Sequence, residues 1–200
     1  MVIRHHKPLP QVRLSPQAGF HMADALAAPR VHMDSPAWEV VTDLRRIPAV
    51  TVASDVGLDE AHRFMALGGV RSLLVSDDRE KVLGILTTSD ILGERPVQHM
   101  EASGVSRGDL RVGDVMTRAG ALDVIARADV LRAQVGDLLA TLKVSGRQHA
   151  LVVDEDDSGR QMIRGIVSLS QIARQLGVPL HTMEVASSFA ALERVLAHAA

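Results

Sequence analysis

The chain has 200 residues, of which 46% are hydrophobic and 23% are charged, a composition typical of a globular protein with a sizeable core. The absence of cysteine excludes disulfide bonds and thiolate chemistry, and no apolar run is long enough to span a membrane. The net charge of −2 and the aromatic content of 2% disfavour nucleic-acid binding. We therefore expect a cytoplasmic protein that binds neither nucleic acid nor membrane.

The N-terminal segment, residues 1–36, carries five prolines and no sustained hydrophobic period, which predicts a flexible arm. Its basic residues precede no continuous apolar stretch, so a secretory signal is not expected. The adjacent His5 and His6 lack the spacing of metal ligands. We expect no metal site in the chain.

From residue 37 onward, three sequence blocks occur twice in the same order. The partners are EVVTDL (39–44) with DVMTRA (114–119), FMALGGVRSLLVSDD (64–78) with TLKVSGRQHALVVDE (141–155), and VLGILTTSDIL (82–92) with IRGIVSLSQIA (163–173). Duplication of one supersecondary unit explains this repeat better than chance does.

Each copy predicts the order strand, helix, strand, strand, helix. In the first copy, residues 49–53 alternate like a short strand, and apolar residues at helical spacing predict a helix that starts at residue 58 and ends at Gly68 and Gly69. Residues 72–76 and 82–87 are predicted to be buried strands of one hairpin, and a closing helix follows.

The second copy predicts the same elements at 122–125, 135–144, 149–153, 162–168 and 169–176. One copy alone would leave a face of its sheet uncovered. The predicted fold is therefore α/β, of the α+β type, with two β-α-β-β-α units packed sheet to sheet about a pseudo-twofold axis. Such packing creates two related clefts between the units.

Two further helices are predicted outside the repeated units. Residues 96–103 have proline in the first turn and Gly104 just past the end. Near the C-terminus one helical face carries four apolar residues, which either pack on the chain's own core or form a dimer contact; they are Phe189, Leu192, Val195 and Leu196. The predicted division is an arm at 1–36, a first unit at 37–95, a helical linker at 96–111, a second unit at 112–177 and a C-terminal helix at 178–200.

The segment GILTTSDI (84–91) places polar residues where a predicted strand meets a predicted helix. The first free N–H groups of a helix at such a corner can hold phosphates and riboses. A purely structural interpretation is also available, in which Thr88 is the N-cap and Asp90 is an acid favoured in the first helical turn.

The two units resemble a tandem pair of CBS domains, the Bateman module. The family signature is glycine, two apolar residues, threonine or serine, two residues of any kind, and then aspartate or asparagine; residues 84–90 meet every position. GVRSLLV (69–75) is similar to the segment of nucleotide-sensing members in which an arginine faces ligand phosphates. The resemblance covers residues 37–176. It implies a regulatory role and, as ligands, AMP, ADP, ATP or S-adenosylmethionine.

The resemblance implies one competent ligand site, edged by the first corner. In it Asp90 would accept hydrogen bonds from both ribose hydroxyls, Thr87 would add a hydroxyl, and Arg71 would bind a phosphate through its planar fork of donors. The adenine would lie against apolar side chains and main-chain groups. The other residues predicted for this site are Gly84, which would let the base approach the backbone, Val50, Val70 and Ser72. Arg71 could instead be a surface cation paired with Asp77 or Asp78.

The second copy departs from the family signature. Ser168 keeps the hydroxyl, but Gln171 replaces the acid, and Gln148 stands where Arg71 would predict a cation, with Arg147 one position earlier. An amide lacks the charge assistance that strengthens carboxylate hydrogen bonds. We expect a second site of Ser168, Gln171 and Arg147 to be weak or vacant.

No nucleophile motif, metal-ligand spacing or GxxxxGK phosphate loop is present, so no catalytic residue is predicted and no cofactor is required. The predicted function is a non-catalytic regulatory module that senses an adenosine-containing ligand between its two units. The alternative is a structural scaffold that dimerises without a ligand. We expect a homodimer formed through the CBS units and a regulated protein that the sequence does not identify.

Overall fold

The computed structural model describes residues 31–178 throughout, together with residues 13, 15, 17, 189, 190 and 192. Its strands are β1 (Thr42–Asp43), β2 (Thr51–Val52), β3 (Ser72–Ser76), β4 (Val82–Thr87), β5 (Thr117–Arg118), β6 (Val124–Ala126), β7 (His149–Glu155) and β8 (Gln161–Ser168). Its helices are α1 (Leu58–Gly68), α2 (Thr88–Leu92), α3 (Arg95–Ser103), α4 (Val112–Val115), α5 (Arg127–Val130), α6 (Val135–Ser145) and α7 (Leu169–Gln175). Short 3₁₀ turns lie at Ala37–Val40, Arg107–Asp109 and Ala119–Ala121.

The fold class is the predicted one, a mixed α/β architecture with two four-stranded sheets, and the helix ends follow from local sequence chemistry. Helix α1 buries Leu58, Ala61 and Met65 on one face, and Gly69 ends it in the left-handed conformation at φ 61°. Helix α3 ends in the same way at Gly104, where φ is 73°. The hairpin strands β3 and β4 have the predicted bounds.

Each sheet is completed by a strand from the other half of the chain. One sheet has the order β2-β3-β4-β5 and the other β1-β8-β7-β6. Strand β1 pairs antiparallel with β8, so that Asp43 lies opposite Gly165, and β5 pairs antiparallel with β4, so that Arg118 lies opposite Gly84. The units are therefore interlocked by an exchange of edge strands.

This exchange differs from the predicted division of the chain. The sequence repeat predicts that residues 37–43 belong to the first unit, but they complete the sheet and core of the second, and residues 112–118 complete the first. Part of the predicted arm is also packed: Val31 is 2% exposed in the second core, and the Val135 N–H donates to the Ser35 carbonyl at 2.9 Å. Residues 39–44 and 114–119 are copies of the same sequence block. Such a repeat does not show which of the two sheets each copy joins.

Three apolar clusters hold this arrangement together. The first unit is built around Leu58, Met65 and Leu86, and the second around Leu142 and Ile172. A third, smaller cluster lies between the two sheets; it comprises Leu74, Ile85 and Leu151, with Leu44, Ala49, Leu122, Ile163 and Ile166 packed against it. The packing of the units sheet to sheet therefore has an apolar basis.

The glycine of each repeated corner motif allows the edge strand to approach. A Cβ atom at Gly84 would lie 2.3 Å from the Thr117 carbonyl oxygen of β5, and one at Gly165 would lie 2.4 Å from Val41 Cγ1 and 3.2 Å from the Thr42 carbonyl oxygen. The prediction that Gly84 makes room for an adenine base is therefore wrong. What lies against Gly84 is the backbone of the exchanged strand.

A partly buried ion pair links β1 to β8, its neighbour in the sheet of the second unit. The Arg164 guanidinium donates to both carboxylate oxygens of Asp43, one bond measuring 3.1 Å, and its Nε lies 3.6 Å from Asp154. The hydrogen bond from Arg164 holds the pKa of Asp43 below its usual range. The same guanidinium lies 5.3 Å from the centre of the Trp38 ring, close enough for a cation–π interaction.

The predicted C-terminal face lies partly in the described residues. Phe189 and Leu192 are helical and are 6% and 2% exposed in the core of the second unit, so these two residues pack on the chain's own core. Val195 and Leu196 lie outside the described residues, as do His5 and His6.

We expect Gly84→Ala to lower the free energy of unfolding by about 1 to 3 kcal/mol, because a Cβ at 84 forces β5 away from β4. Gly120→Ala is the matched control, since nothing lies within 4 Å of its Cβ position, and we expect a change within about 0.5 kcal/mol. Urea denaturation of both variants measures the difference. Equal stabilities would contradict the close-approach explanation.

Candidate ligand clefts

The first corner, where β4 meets α2, is a closed hydrogen-bonded box. Thr87 is the N-cap: its hydroxyl accepts from the Asp90 N–H at 3.2 Å, and Asp90 Oδ2 accepts from the Thr87 N–H at 2.8 Å and from the Thr87 hydroxyl at 2.7 Å. The alternative with Thr88 as N-cap is therefore wrong. Thr88 is buried, and its hydroxyl donates to the Arg71 carbonyl at 3.2 Å.

The second oxygen of Asp90 also has a partner. Asp90 Oδ1 lies 2.9 Å from Arg95 Nη1, and the Asp90 side chain is 12% exposed. The carboxylate therefore performs the structural role that the sequence left open as an alternative, and at the same time it borders a cleft between the units.

The second corner, where β8 meets α7, is built differently. Ser168 is the N-cap but makes no cap hydrogen bond with its side chain; its hydroxyl lies 3.0 Å from the Ser170 hydroxyl. The Gln171 carbonyl oxygen accepts from the Arg174 guanidinium one turn later. The amide at 171 is thus held by a cation of its own helix.

Among the described residues, two of the clefts lie between the units. The small cleft, about 310 Å³, lies between the first corner and the junction of α6 with β7; its polar and charged walls include Thr87, Asp90, Arg95, Asp123, Arg147 and Gln148. The large cleft, about 800 Å³, lies between the second corner and the start of β3; its walls include Ile47, Pro48, Val50, Val70, Arg71, Ser72, Ile166, Ser168, Gln171 and Arg174. His149 lines both clefts.

This layout does not bring the predicted first site together. Asp90 and Thr87 line the small cleft with Arg147, whereas Arg71, Val50, Val70 and Ser72 line the large cleft with Ser168 and Gln171. The grouping of Asp90 with Arg71, and of Arg147 with Gln171, is therefore wrong. Units related by a pseudo-twofold axis face each other, so the corner of one unit meets the strand start of the other.

The large cleft has an uneven charge. Arg71 and Arg174 are its two cations, and no aspartate or glutamate is among its lining residues in the part of the chain that the structure describes. Across those same residues Arg71 makes no ion pair with Asp77 or Asp78, and Asp77 accepts instead from the N–H groups of Arg79 and Lys81. The small cleft is balanced, with Asp90 and Asp123 facing Arg95 and Arg147.

Sequence reasoning missed three of these residues. Arg95 and Arg174 lie outside the family signature, and only the helical distance from Gln171 to Arg174 could have indicated that pair. His149 begins β7, opposite Ser168 of β8. Burial, with the charge of Arg71 as the second cause, lowers the pKa of His149 to about 4.

Across residues 31–178 and the few others that the structure describes, no group of three histidine or acidic residues is placed to hold a metal ion. Within the same residues, no helix is long and apolar enough to cross a membrane.

Comparison with known proteins identifies the fold. Residues 32–96 match the family model of the CBS domain. A stretch of 57 residues is 37% identical to an uncharacterized protein from Methanopyrus kandleri, but the match covers only 28% of this chain and 29% of that protein.

Two solved structures cover most of the chain. An uncharacterized conserved protein from Pyrococcus horikoshii matches with a TM-score of 0.53 and 25% identity, over 76% of this chain and 99% of that one. A CBS-domain containing protein from Agrobacterium tumefaciens has a TM-score of 0.51 and 21% identity, over 72% and 94% of the two chains, and this likeness shows the fold alone. Residues 32–96 are therefore similar to the CBS domain, and the fold of the chain is like that of CBS-domain proteins.

We expect the stability of the protein to fall between pH 6.5 and pH 4 partly because of His149. In this window the unfolded chain binds a proton at residue 149 that the folded chain does not, so the free energy of unfolding decreases as the pH decreases. His149→Gln should flatten that slope relative to the wild type. Urea denaturation at several pH values between 7 and 4 measures it.

The measurement stays above pH 4 because other groups dominate below it. Hydrogen bonds from Ser158 and Arg160 lower the pKa of Asp156 to about 2, so its contribution is lost only as the pH falls below 3.8. An unchanged slope in His149→Gln between pH 6.5 and 4 would contradict the assignment to His149.

Proposed function

We propose that this protein is a non-catalytic regulatory module that binds an adenosine-containing ligand in the large cleft. One observation carries the proposal: the cleft combines apolar walls with two arginines and, among the described residues, no carboxylate. Such a cleft fits a molecule with a flat apolar end and an anionic end. The resemblance to nucleotide-sensing CBS pairs supports the same class of ligand.

The apolar part of the cleft suits a purine. Ile47 is 55% exposed and Val50 is 36% exposed, and both face the cleft together with Pro48, Val70 and Ile166. When a flat ring covers apolar side chains that are exposed to water in a concave site, the burial of apolar surface favours binding. The volume of about 800 Å³ lies within the range typical of small-molecule sites.

The anionic end of the ligand would bind Arg71. Its guanidinium makes no hydrogen bond or ion pair with the described residues, and it offers a planar fork that fits phosphate oxygens. Arg174 adds a second positive charge to the cleft wall. The described lining residues of the large cleft include no carboxylate that would attract a cationic ligand. We therefore expect AMP, ADP or ATP to bind more tightly than S-adenosylmethionine, which carries a sulfonium charge.

The ribose would lie against the second corner. Ser168 and Ser170 present hydroxyls there, and Gln171 presents an amide whose oxygen already accepts from Arg174. Neutral donors and acceptors bind a diol more weakly than a carboxylate does. The affinity in this cleft therefore depends mainly on Arg71 and on the apolar walls.

Ligand binding would change the relative orientation of the two interlocked units, and a partner protein would recognise that change. The proposal includes a homodimer formed through the CBS units and a regulated protein that is not identified. The rival function is a scaffold that dimerises without a ligand. One observation favours the rival: the corner acceptors Asp90 and Gln171 already have arginine partners within the chain.

We expect AMP at about 100 times its dissociation constant to raise the free energy of unfolding by about 2.7 kcal/mol, seen as a higher melting temperature. Arg71→Gln should weaken binding roughly 10- to 100-fold, because a charge-assisted hydrogen bond to phosphate is lost. The control is Arg79→Gln, in the turn between β3 and β4, which lines neither cleft. Its AMP response should equal that of the wild type.

Melting curves with AMP, ADP, ATP and S-adenosylmethionine separate the two functions. Flat curves for the whole series would favour the scaffold. A shift that survives Arg71→Gln unchanged would show that the ligand binds outside the large cleft. A larger shift with S-adenosylmethionine than with AMP would contradict the charge argument.

A further inference from the structure

The small cleft contains a carboxylate that is already fully engaged. Asp90 Oδ2 accepts two hydrogen bonds from Thr87, and Asp90 Oδ1 is paired with Arg95 at 2.9 Å. A ribose diol needs two acceptor positions on one carboxylate. The side facing Thr87 is committed to the helix cap, so the side occupied by Arg95 is the one a ligand must take.

Arg95 is held at this position by more than one contact. The same nitrogen, Nη1, lies 2.9 Å from Asp90, donates to the Thr117 hydroxyl at 2.8 Å and donates to the Val115 carbonyl at 3.1 Å. Arg95 is the first residue of α3, the linker helix, and Thr117 begins the exchanged strand β5. One side chain thus joins the corner carboxylate, the linker and the exchanged segment.

We propose that Arg95 is an internal occupant of the diol-binding side of Asp90, so that the small cleft accepts a ribose only when Arg95 leaves. The inference extends the proposed nucleoside chemistry to the second cleft and rests on it. Arg95 is 47% exposed, and an ion pair at such a position is a weak interaction. A diol can therefore displace it, but at a measurable loss of affinity.

Displacement of Arg95 has a structural consequence. When its guanidinium turns to solvent, the contacts from α3 to Val115 and Thr117 are lost together with the contact to Asp90. Ligand binding in the small cleft would therefore loosen the start of the linker helix against the first sheet. The large cleft has no equivalent of this link among the described residues, because Arg174 contacts Gln171 within its own helix.

The test uses adenosine as the probe, with 2′,3′-dideoxyadenosine as the matched ligand that lacks the diol. Arg95→Gln should tighten adenosine binding by at least about two- to fivefold, the range expected from the half-exposed ion pair alone, because the wild type must also give up the hydrogen bonds to Val115 and Thr117. It should leave dideoxyadenosine binding unchanged. Arg95→Lys is the matched control, because an ammonium can still pair with Asp90; its affinity should stay close to that of the wild type. Titration calorimetry gives the affinities.

The double variant Arg95→Gln with Asp90→Asn locates the effect. It should not show the increased adenosine affinity of Arg95→Gln, since it lacks the carboxylate that accepts hydrogen bonds from the diol. If the double variant does not fold, as judged by its melting curve, hydrogen exchange on the wild type replaces it. There, adenosine should increase exchange at the start of α3, residues 95–103.

Three results would overturn the inference: an adenosine affinity of Arg95→Gln no higher than that of the wild type, a gain that dideoxyadenosine shares, or, in the exchange experiment, unchanged exchange at residues 95–103. None of these is a result that would overturn the large-cleft proposal, such as flat melting curves for the whole ligand series or an AMP response retained in Arg71→Gln. The two proposals can therefore fail separately.

Discussion

At Gly84 and Gly165, the backbone or side chain of an edge strand from the other half of the chain lies where a Cβ atom would be. This close approach lets β5 join the first sheet and β1 join the second. The exchange interlocks the two units and sets the third apolar cluster between their sheets. Both clefts lie along that junction. At Gly84 a Cβ would displace the backbone of β5, and at Gly165 it would displace the Val41 side chain next to β1.

The two halves form two clefts of related layout that differ in volume, about 310 and 800 Å³, and in chemistry. Each places the corner of one unit against the strand start of the other. The large cleft has two arginines and no carboxylate among its described lining residues, whereas in the small cleft two aspartates face two arginines. A few side-chain differences between the copies, above all Gln171 in place of an acid, account for this contrast. They favour an anionic ligand in one cleft and leave the other close to neutral.

Internal arginines occupy both corner acceptors. Asp90 is paired with Arg95 and Gln171 with Arg174, so the ribose of the proposed ligand would compete at either corner with a group of the protein itself. Arg71, in contrast, makes no such contact within the described residues and is available to an anion. His149 is a wall shared by both clefts, and its lowered pKa keeps it neutral near pH 7. The charge in the large cleft near neutral pH therefore comes from its arginines.

The amino-acid sequence alone determined the repeated units and most of their elements. Local hydrophobic periodicity and the placement of glycines act within a few residues of the chain. They predict strands β3 and β4, the end of α1 at Gly69 and the helix α3 before Gly104. It also indicated Asp90, Arg71 and Gln171 as polar residues near the clefts. Tertiary structure alone decided which sheet β1 and β5 complete, which corner faces which strand, and that Arg95 reaches Asp90. The physical reason is that two similar halves offer similar local patterns, and only packing in three dimensions selects which surfaces of the two halves meet.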